Sequence, residues 1–269
     1  MLQVTMWLLA GCGTMLDAQP VASPAMDGAV GITAVSSRVS KDYVRTKLPD
    51  GSFQPEEYAF GDGGRYNGPF RDASIDKLSF LDIARVIAAS LKAQNYVPAK
   101  DLNTEKLLIM LHWGTTITGS SFSATVPGSG PSHLQSDDAI DIMNAAMLGY
   151  DSEGLIGTEY GTYIGHFGPT GSYRDQLMAE IEDNRYFVVL MAYDFQVFRK
   201  ESRHKLLWET RFSINERHNQ FDKALPVMTE YASKYFGQDS KGLLRTRVPE
   251  GQVKVGEPKS LGEVEAPAK

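Results

Sequence analysis

The clearest pattern of apolar and polar positions lies between residues 185 and 215. FVVLMAY at 187–193 is continuous and apolar, which fits a strand buried on both faces, and alternation then carries the strand on to residue 198. In the next segment Leu206, Trp208, Thr210, Phe212 and Ile214 share one face, with Leu207, Glu209, Arg211, Ser213 and Asn215 on the other. That period of two predicts a half-buried strand. The polar link at 199–205 then joins strands 186–198 and 206–215 as an antiparallel hairpin, with Trp208 buried on the even-numbered face. Asp194 falls inside the first strand, either as a buried acid or on the open face opposite Arg211.

A helical period appears twice. Phe80, Ala84, Ile87 and Leu91 recur on one face behind Ser79 and Asp82, which form a capping box with Asp in place of Glu. Asn95 and Pro98 end that helix. Phe221, Leu225, Met228, Ala232 and Tyr235 mark a last helix, which should start near Asp222 because Pro226 suits only a first turn. Gly237 closes it. KLLIMLHW at 106–113 is another doubly buried strand. Pro49-Asp50-Gly51 is the turn of a hairpin over 42–60, followed by a Gly-rich loop at 61–69. Residues 136–148 and 173–184 read as helices inside a long insertion, 114–184, whose Gly- and Ser-rich stretches read as loop. Its ends adjoin strands expected to be neighbours, so it reads as modular.

The expected fold is therefore α+β. A mixed or antiparallel sheet carries helices on one face, in the order strand–helix–strand, insertion, strand–strand–helix. One domain spans 41–245. Residues 12–40 read as a flexible tether and 246–269 as a mostly disordered tail, with Val253 and Val255 as a possible short strand.

Composition narrows the function. The chain has 269 residues and a formal net charge of −6, which disfavours nucleic acid as a partner because phosphates need clustered cations. Its single Cys excludes an intrachain disulfide and a multi-cysteine metal site. That Cys sits at the end of the uncharged run MLQVTMWLLAG, giving Leu9-Ala10-Gly11-Cys12. This resembles the lipobox of bacterial lipoproteins, in which cleavage before the Cys leaves it as the lipidation site; the alternative is a buried free thiol. The resemblance makes 1–11 a signal peptide. No basic residue precedes Arg38, so the leader is expected to begin further upstream. Gly13 is not an acidic residue, and by the logic of that family the anchor lies in the outer membrane, facing the periplasm or the cell surface.

The element order, over 78–113 and 187–236 with Leu207-Trp208-Glu209 before the last helix, is similar to uncharacterised bacterial envelope lipoproteins with a small domain like the TolB amino-terminal domain. These stretches cover about a third of the chain. The departure is the insertion at 114–184. The resemblance implies a fold and an address, and no active site.

Candidate chemistry is sparse. Gly61–Gly68 lacks the spacing of a phosphate loop or a dinucleotide fingerprint, and Gly128-Ser129-Gly130 is not a nucleophile elbow. Among His112, His133, His166, His204 and His218 no pair has helical ligand spacing, so no metal site and no cofactor are expected. Asp137, Asp138 and Asp141 suit a helix start. The expected role is non-enzymatic envelope binding or assembly, with the membrane and other envelope proteins as partners. Tyr150, Tyr160, Tyr163, Phe167 and Tyr173 form the candidate binding surface. The alternative is an extracytoplasmic enzyme with its site near His112 and the loop 114–131, at the end of a central strand.

Overall fold

The computed structural model describes residues 6–7, 30–66, 71–101, 106–117, 133–150, 177–217 and 219–249. Their elements are β1 (Met6–Trp7), β2 (Val30–Val39), β3 (Glu56–Tyr66), α1 (Ala73–Asp76), α2 (Phe80–Ala93), β4 (Tyr96–Pro98), β5 (Leu107–Thr115), α3 (His133–Leu148), β6 (Arg185–Asp194), α4 (Phe195–Glu201), β7 (Leu206–Asn215), α5 (Phe221–Ser233) and β8 (Leu244–Pro249). The fold is α+β. One mixed sheet has the order β1-β3-β5-β6-β7-β2-β8, with β4 also on the outer edge of β3. Pairings β3–β4 and β3–β5 are parallel and the rest antiparallel.

The parallel step from β3 to β5 needs a crossover, which α2 supplies. Its start is fixed as expected. The Ser79 hydroxyl accepts from the Asp82 amide, and the Asp82 carboxylate accepts from the Ser79 amide at 3.0 Å. Asn95 ends it in the left-handed region, φ 59°, and its side chain donates to the Phe53 carbonyl. Phe80, Ile83, Ala84, Ile87 and Leu91 are buried against the sheet. α5 packs beside α2 on that face, bringing Phe221, Leu225 and Met228 to the same core. Trp208 is fully buried there, stacked on Phe236 at 6.1 Å, as the even-face alternation requires.

Several expectations are corrected. The segment 30–39 is a central strand rather than tether. Its small residues Ala34, Ser36 and Ser37 hide the alternation, but β7 on one side and β8 on the other satisfy its backbone. The tail likewise begins later, since β8 runs to Pro249. The Gly-rich loop belongs to β3 up to Tyr66, with a bulge between Asp62 and Gly64 that absorbs the extra residue. Conversely, the strand at 43–48 reduces to one bridge, Lys47 to Phe53. The β6 strand stops at Asp194, whose carboxylate caps α4 by accepting from the Val197 amide at 3.0 Å. Asp194 therefore faces neither the hairpin nor Arg211, which pairs with Val189. Pro226 lies beyond the first turn of α5, which begins at Phe221. α3 starts at His133, so Asp137 and Asp138 follow its first turn.

The insertion is also less separable than expected. Its ends do leave from neighbouring strands, since β5 and β6 pair along Leu107 to Thr115. However, Ala145, Leu148, Tyr150, Leu177 and Ile181 form a second core with Ala34, Phe187 and Val189 on the opposite face of the sheet. Helices thus cover both faces, the main layer on one and α3 with helical residues 177–181 on the other.

Candidate functional site

The second face follows from the same alternation that builds the first core. Where β6 sends Tyr186, Val188 and Leu190 to the first core, it sends Arg185, Phe187, Val189 and Met191 the other way. Likewise β5 presents Leu108, Met110 and His112, and β7 presents Glu209, Arg211 and Ser213.

At one end this face is closed by a buried polar network. Arg185 has a side chain 1% exposed, with Glu180 at 3.8 Å. Its Nε donates to the Ser213 hydroxyl at 3.1 Å. Glu180 also pairs with Arg245 and accepts from the Tyr150 hydroxyl at 2.6 Å. Burial pushes that hydroxyl well above its ordinary range, so Tyr150 stays a neutral donor. Asn144 donates to the carbonyls of Ile117 and Ile181, tying α3 to both ends of the insertion. Groups buried this deeply need such partners, because each unpaired one costs desolvation energy.

At the other end the face is more open and holds His112, Met110 and Met191, each half-buried. Glycines make the room. A Cβ on Gly61 would collide with the Met110 sulfur, and one on Gly63 with the His112 ring. Gly64, at φ 94°, is in a conformation that favours glycine, and its amide donates to Asp62 at 2.9 Å. The His112 ring lies 6.4 Å from the exposed Tyr66 ring. Its Nδ1 is buried and has no hydrogen-bond partner among the described residues. Burial holds the imidazole below its ordinary pKa, with a smaller push from Arg211, against the Gly63 carbonyl and Asp62. His112 is thus mainly neutral at neutral pH. Across the strand pair, Met110 faces Met191 in register, and the Tyr193 hydroxyl donates to the Met191 sulfur at 3.7 Å.

The aromatic surface expected at 150–173 divides. Tyr150 is 3% exposed and packs in the second core, so it is a packing residue rather than part of an open surface. Tyr160, Tyr163, Phe167 and Tyr173 lie outside the described residues, as do Cys12 and the loop 118–131. His112 lies inside β5, which continues to Thr115, rather than at the end of the strand, and its ring sits against Gly63 and beside Tyr66. The sequence reading passed over Met110, Met191, Glu180 and Arg185. Only the register of β5 against β6, unavailable from one strand at a time, brings Met110 and Met191 together. No helix among the described residues is long and apolar enough to cross a membrane.

No family model matches the chain, and no curated protein matches it. Among solved structures it is similar to a PDZ domain protein from Parabacteroides distasonis ATCC 8503, at 14% identity and a TM-score of 0.39. That match covers 80% of this chain and 39% of the other.

Proposed function

We propose that this chain is a bacterial envelope lipoprotein, anchored through Cys12, whose folded body is a non-enzymatic binding or assembly module. The observation that carries the reading is Leu9-Ala10-Gly11-Cys12 directly after an uncharged apolar run. Cleavage before Cys12 and attachment of several acyl chains would give stable membrane attachment, which a single chain does not. The first strand of the body begins at Val30, so residues 13–29 separate it from the anchor. Fully extended, such a segment reaches at most about 60 Å. The body can thus work away from the bilayer that holds it, at the outer membrane, on the periplasmic or outer side. On this reading Met6–Trp7 leaves with the leader, and β3 loses its β1 neighbour at Phe60 and Gly61.

The test is metabolic labelling with a fatty-acid analogue in a bacterial host expressing the chain behind a complete leader. Label and detergent partitioning are expected in the parent and lost in Cys12→Ser. Unchanged partitioning of Cys12→Ser overturns the anchor. Crosslinking in intact envelopes tests the rest. Specific capture of another envelope protein is expected, and a body that captures none refutes the binding role.

A further inference from the structure

The outer edge of β3 is covered in two different ways along its length. β4 covers its start, where the Glu56 amide donates to the Asn95 carbonyl at 3.1 Å and the Ala99 amide donates to the Tyr58 carbonyl at 2.8 Å. Those two bonds fix the parity of the strand. Its even-numbered residues turn their amides and carbonyls outward, and Phe60 and Asp62 continue the series up to the bulge between Asp62 and Gly64. Beyond β4, among the described residues, the edge is held by Met6–Trp7 alone. That segment runs antiparallel, with Trp7 opposite Phe60 and Met6 opposite Gly61. On the second-face side, the edge is lined by side chains from β5. Gly61 and Gly63 carry none, and the Met110 sulfur and the His112 ring stand where their Cβ atoms would be. Both side chains are half-buried. Tyr66, 51% exposed, stands 6.4 Å from the His112 ring. A strand laid on this edge thus meets a thioether and an imidazole as well as backbone.

We propose that this edge is a β-augmentation site, which takes a short, extended, apolar segment of another polypeptide antiparallel to β3. The proposal rests on the reading that residues 1–11 are removed as a leader. The chain's own apolar segment is seated there in the pairing that a partner would adopt. Its removal leaves the outward backbone groups of Phe60 and Asp62 without a strand, and such an edge is a template for another chain. β4 stops at Pro98 and does not extend over it. The carboxylate on it, Asp62, is engaged by the Gly64 amide at 2.9 Å. The bulge after Asp62 keeps the site short. Main-chain hydrogen bonds would supply affinity, and alternate side chains specificity. The partner residue opposite Phe60 must offer an amide, so proline is excluded there. The residue opposite Gly61 shares a face with the Met110 thioether, which suits an unbranched or aromatic apolar side chain. Met6 holds that register position in the leader.

The experiment uses the full chain carrying Trp7→Pro, which removes the amide opposite Phe60 and so withdraws the leader strand without truncating the protein. The probe is a synthetic peptide of residues 3–9, Gln3-Val4-Thr5-Met6-Trp7-Leu8-Leu9, with terminal lysines for solubility. It should bind this variant at least about tenfold more tightly than the parent chain, whose own leader competes at high effective concentration. Binding should slow hydrogen exchange at the Phe60 and Asp62 amides. The same peptide N-methylated at its Trp keeps every side chain and loses one donor, so its affinity should fall at least about tenfold. Binding that leaves both amides unprotected, or that survives N-methylation, would put the peptide elsewhere and overturn the proposal, as would no binding at all. A Trp7→Pro chain that dimerises in sedimentation, with those amides protected before any peptide is added, would overturn it in favour of a second copy. Lipidation plays no part in this titration. A chain that takes the peptide but no fatty acid would refute the anchor and leave the edge closed by its own leader, whereas one that takes fatty acid but no peptide would refute the edge site alone.

Discussion

The two faces of the sheet bury comparable side chains by opposite means. The first face, under α2 and α5, is sealed by aromatic and aliphatic contact. Trp208 stacks on Phe236, Tyr186 lies edge-on to Phe221 at 5.4 Å, and Phe80 leans on Trp113. The second face, under α3 and residues 177–181, has a small apolar core and then changes to charges, thioethers and an imidazole. Each face also buries an arginine. At the rim of the first, Arg45 is held between the rings of Phe53 and Tyr96, 4.2 and 4.0 Å from their centroids, with Glu56 at 3.6 Å. On the second, Arg185 relies on Glu180 and Ser213. A π face tolerates small displacements, whereas a buried ion pair loses most of its value if one partner leaves. The first face should therefore lose stability in proportion to apolar surface removed. The second should depend on single polar groups.

The largest effect is expected from Trp208→Ala, which empties the centre of the first core. The loss should be about 3–5 kcal/mol in chemical denaturation, as for other large core truncations. A loss under about 1 kcal/mol would mean that the aromatic stack is not what seals this face. Next, Glu180→Leu should cost about 3 kcal/mol, because Arg185, Arg245 and the Tyr150 hydroxyl all lose the carboxylate they share. Adding Arg185→Met to it should restore much of that loss. A double variant as unstable as the single one would show that shape, not charge, holds the second face. Smaller again is Ser79→Ala, which removes one half of the α2 capping box. About 1 kcal/mol is expected, measured the same way. It should weaken the first face alone, since α2 packs there.

The first face was largely legible in the sequence, and the second was not. Phe80, Ile87, Leu91 and the even-numbered residues of β7 declare themselves by local period, and Ser79 with Asp82 marks a helix start without knowledge of any neighbour. The second face has no comparable local signal. The strand at 30–39 reads as loop because small and polar residues occupy its buried positions, yet Ala34 and Ser37 are nearly fully buried. The stop of β6 at Asp194 depends on a cap competing with alternation that continues into Phe195 and Val197. Gly61 and Gly63 look like turn residues, while their role is to leave room for side chains of a different strand. Met110 and His112 sit inside an apolar run where nothing local distinguishes packing from binding. The side chains lie against Gly61 and Gly63, which become their neighbours only once the β3–β5 register is set.

The smallest expected effect separates the faces by pH. His112 on the second face carries a folded-state pKa below its ordinary value of 6.5, because burial penalises the imidazolium. Between those two values the unfolded chain binds more protons at this site than the folded one. Stability should therefore fall as pH drops below about 6.5 and stop falling once pH is beneath the folded-state value. Above about 7 both states hold a neutral imidazole, and no dependence from this residue remains. Other groups titrate nearby. Glu216 is shifted upward by burial and by Asp72 and Asp183, and so contributes a trend of the opposite sign at lower pH. The informative quantity is thus the difference between the parent and His112→Gln, measured by denaturation at several pH values. The difference should be flat above pH 7 and fall in the parent's disfavour below 6.5. Partial exposure of the ring keeps it smaller than the loss of the α2 cap. Trp208→Ala, on the first face, should lower the parent's curve while leaving that pH-dependent difference in place. A parent and His112→Gln that track each other across the whole range would mean that the imidazole is as well solvated as in the unfolded chain, and that the open end of the second face is not a desolvated site.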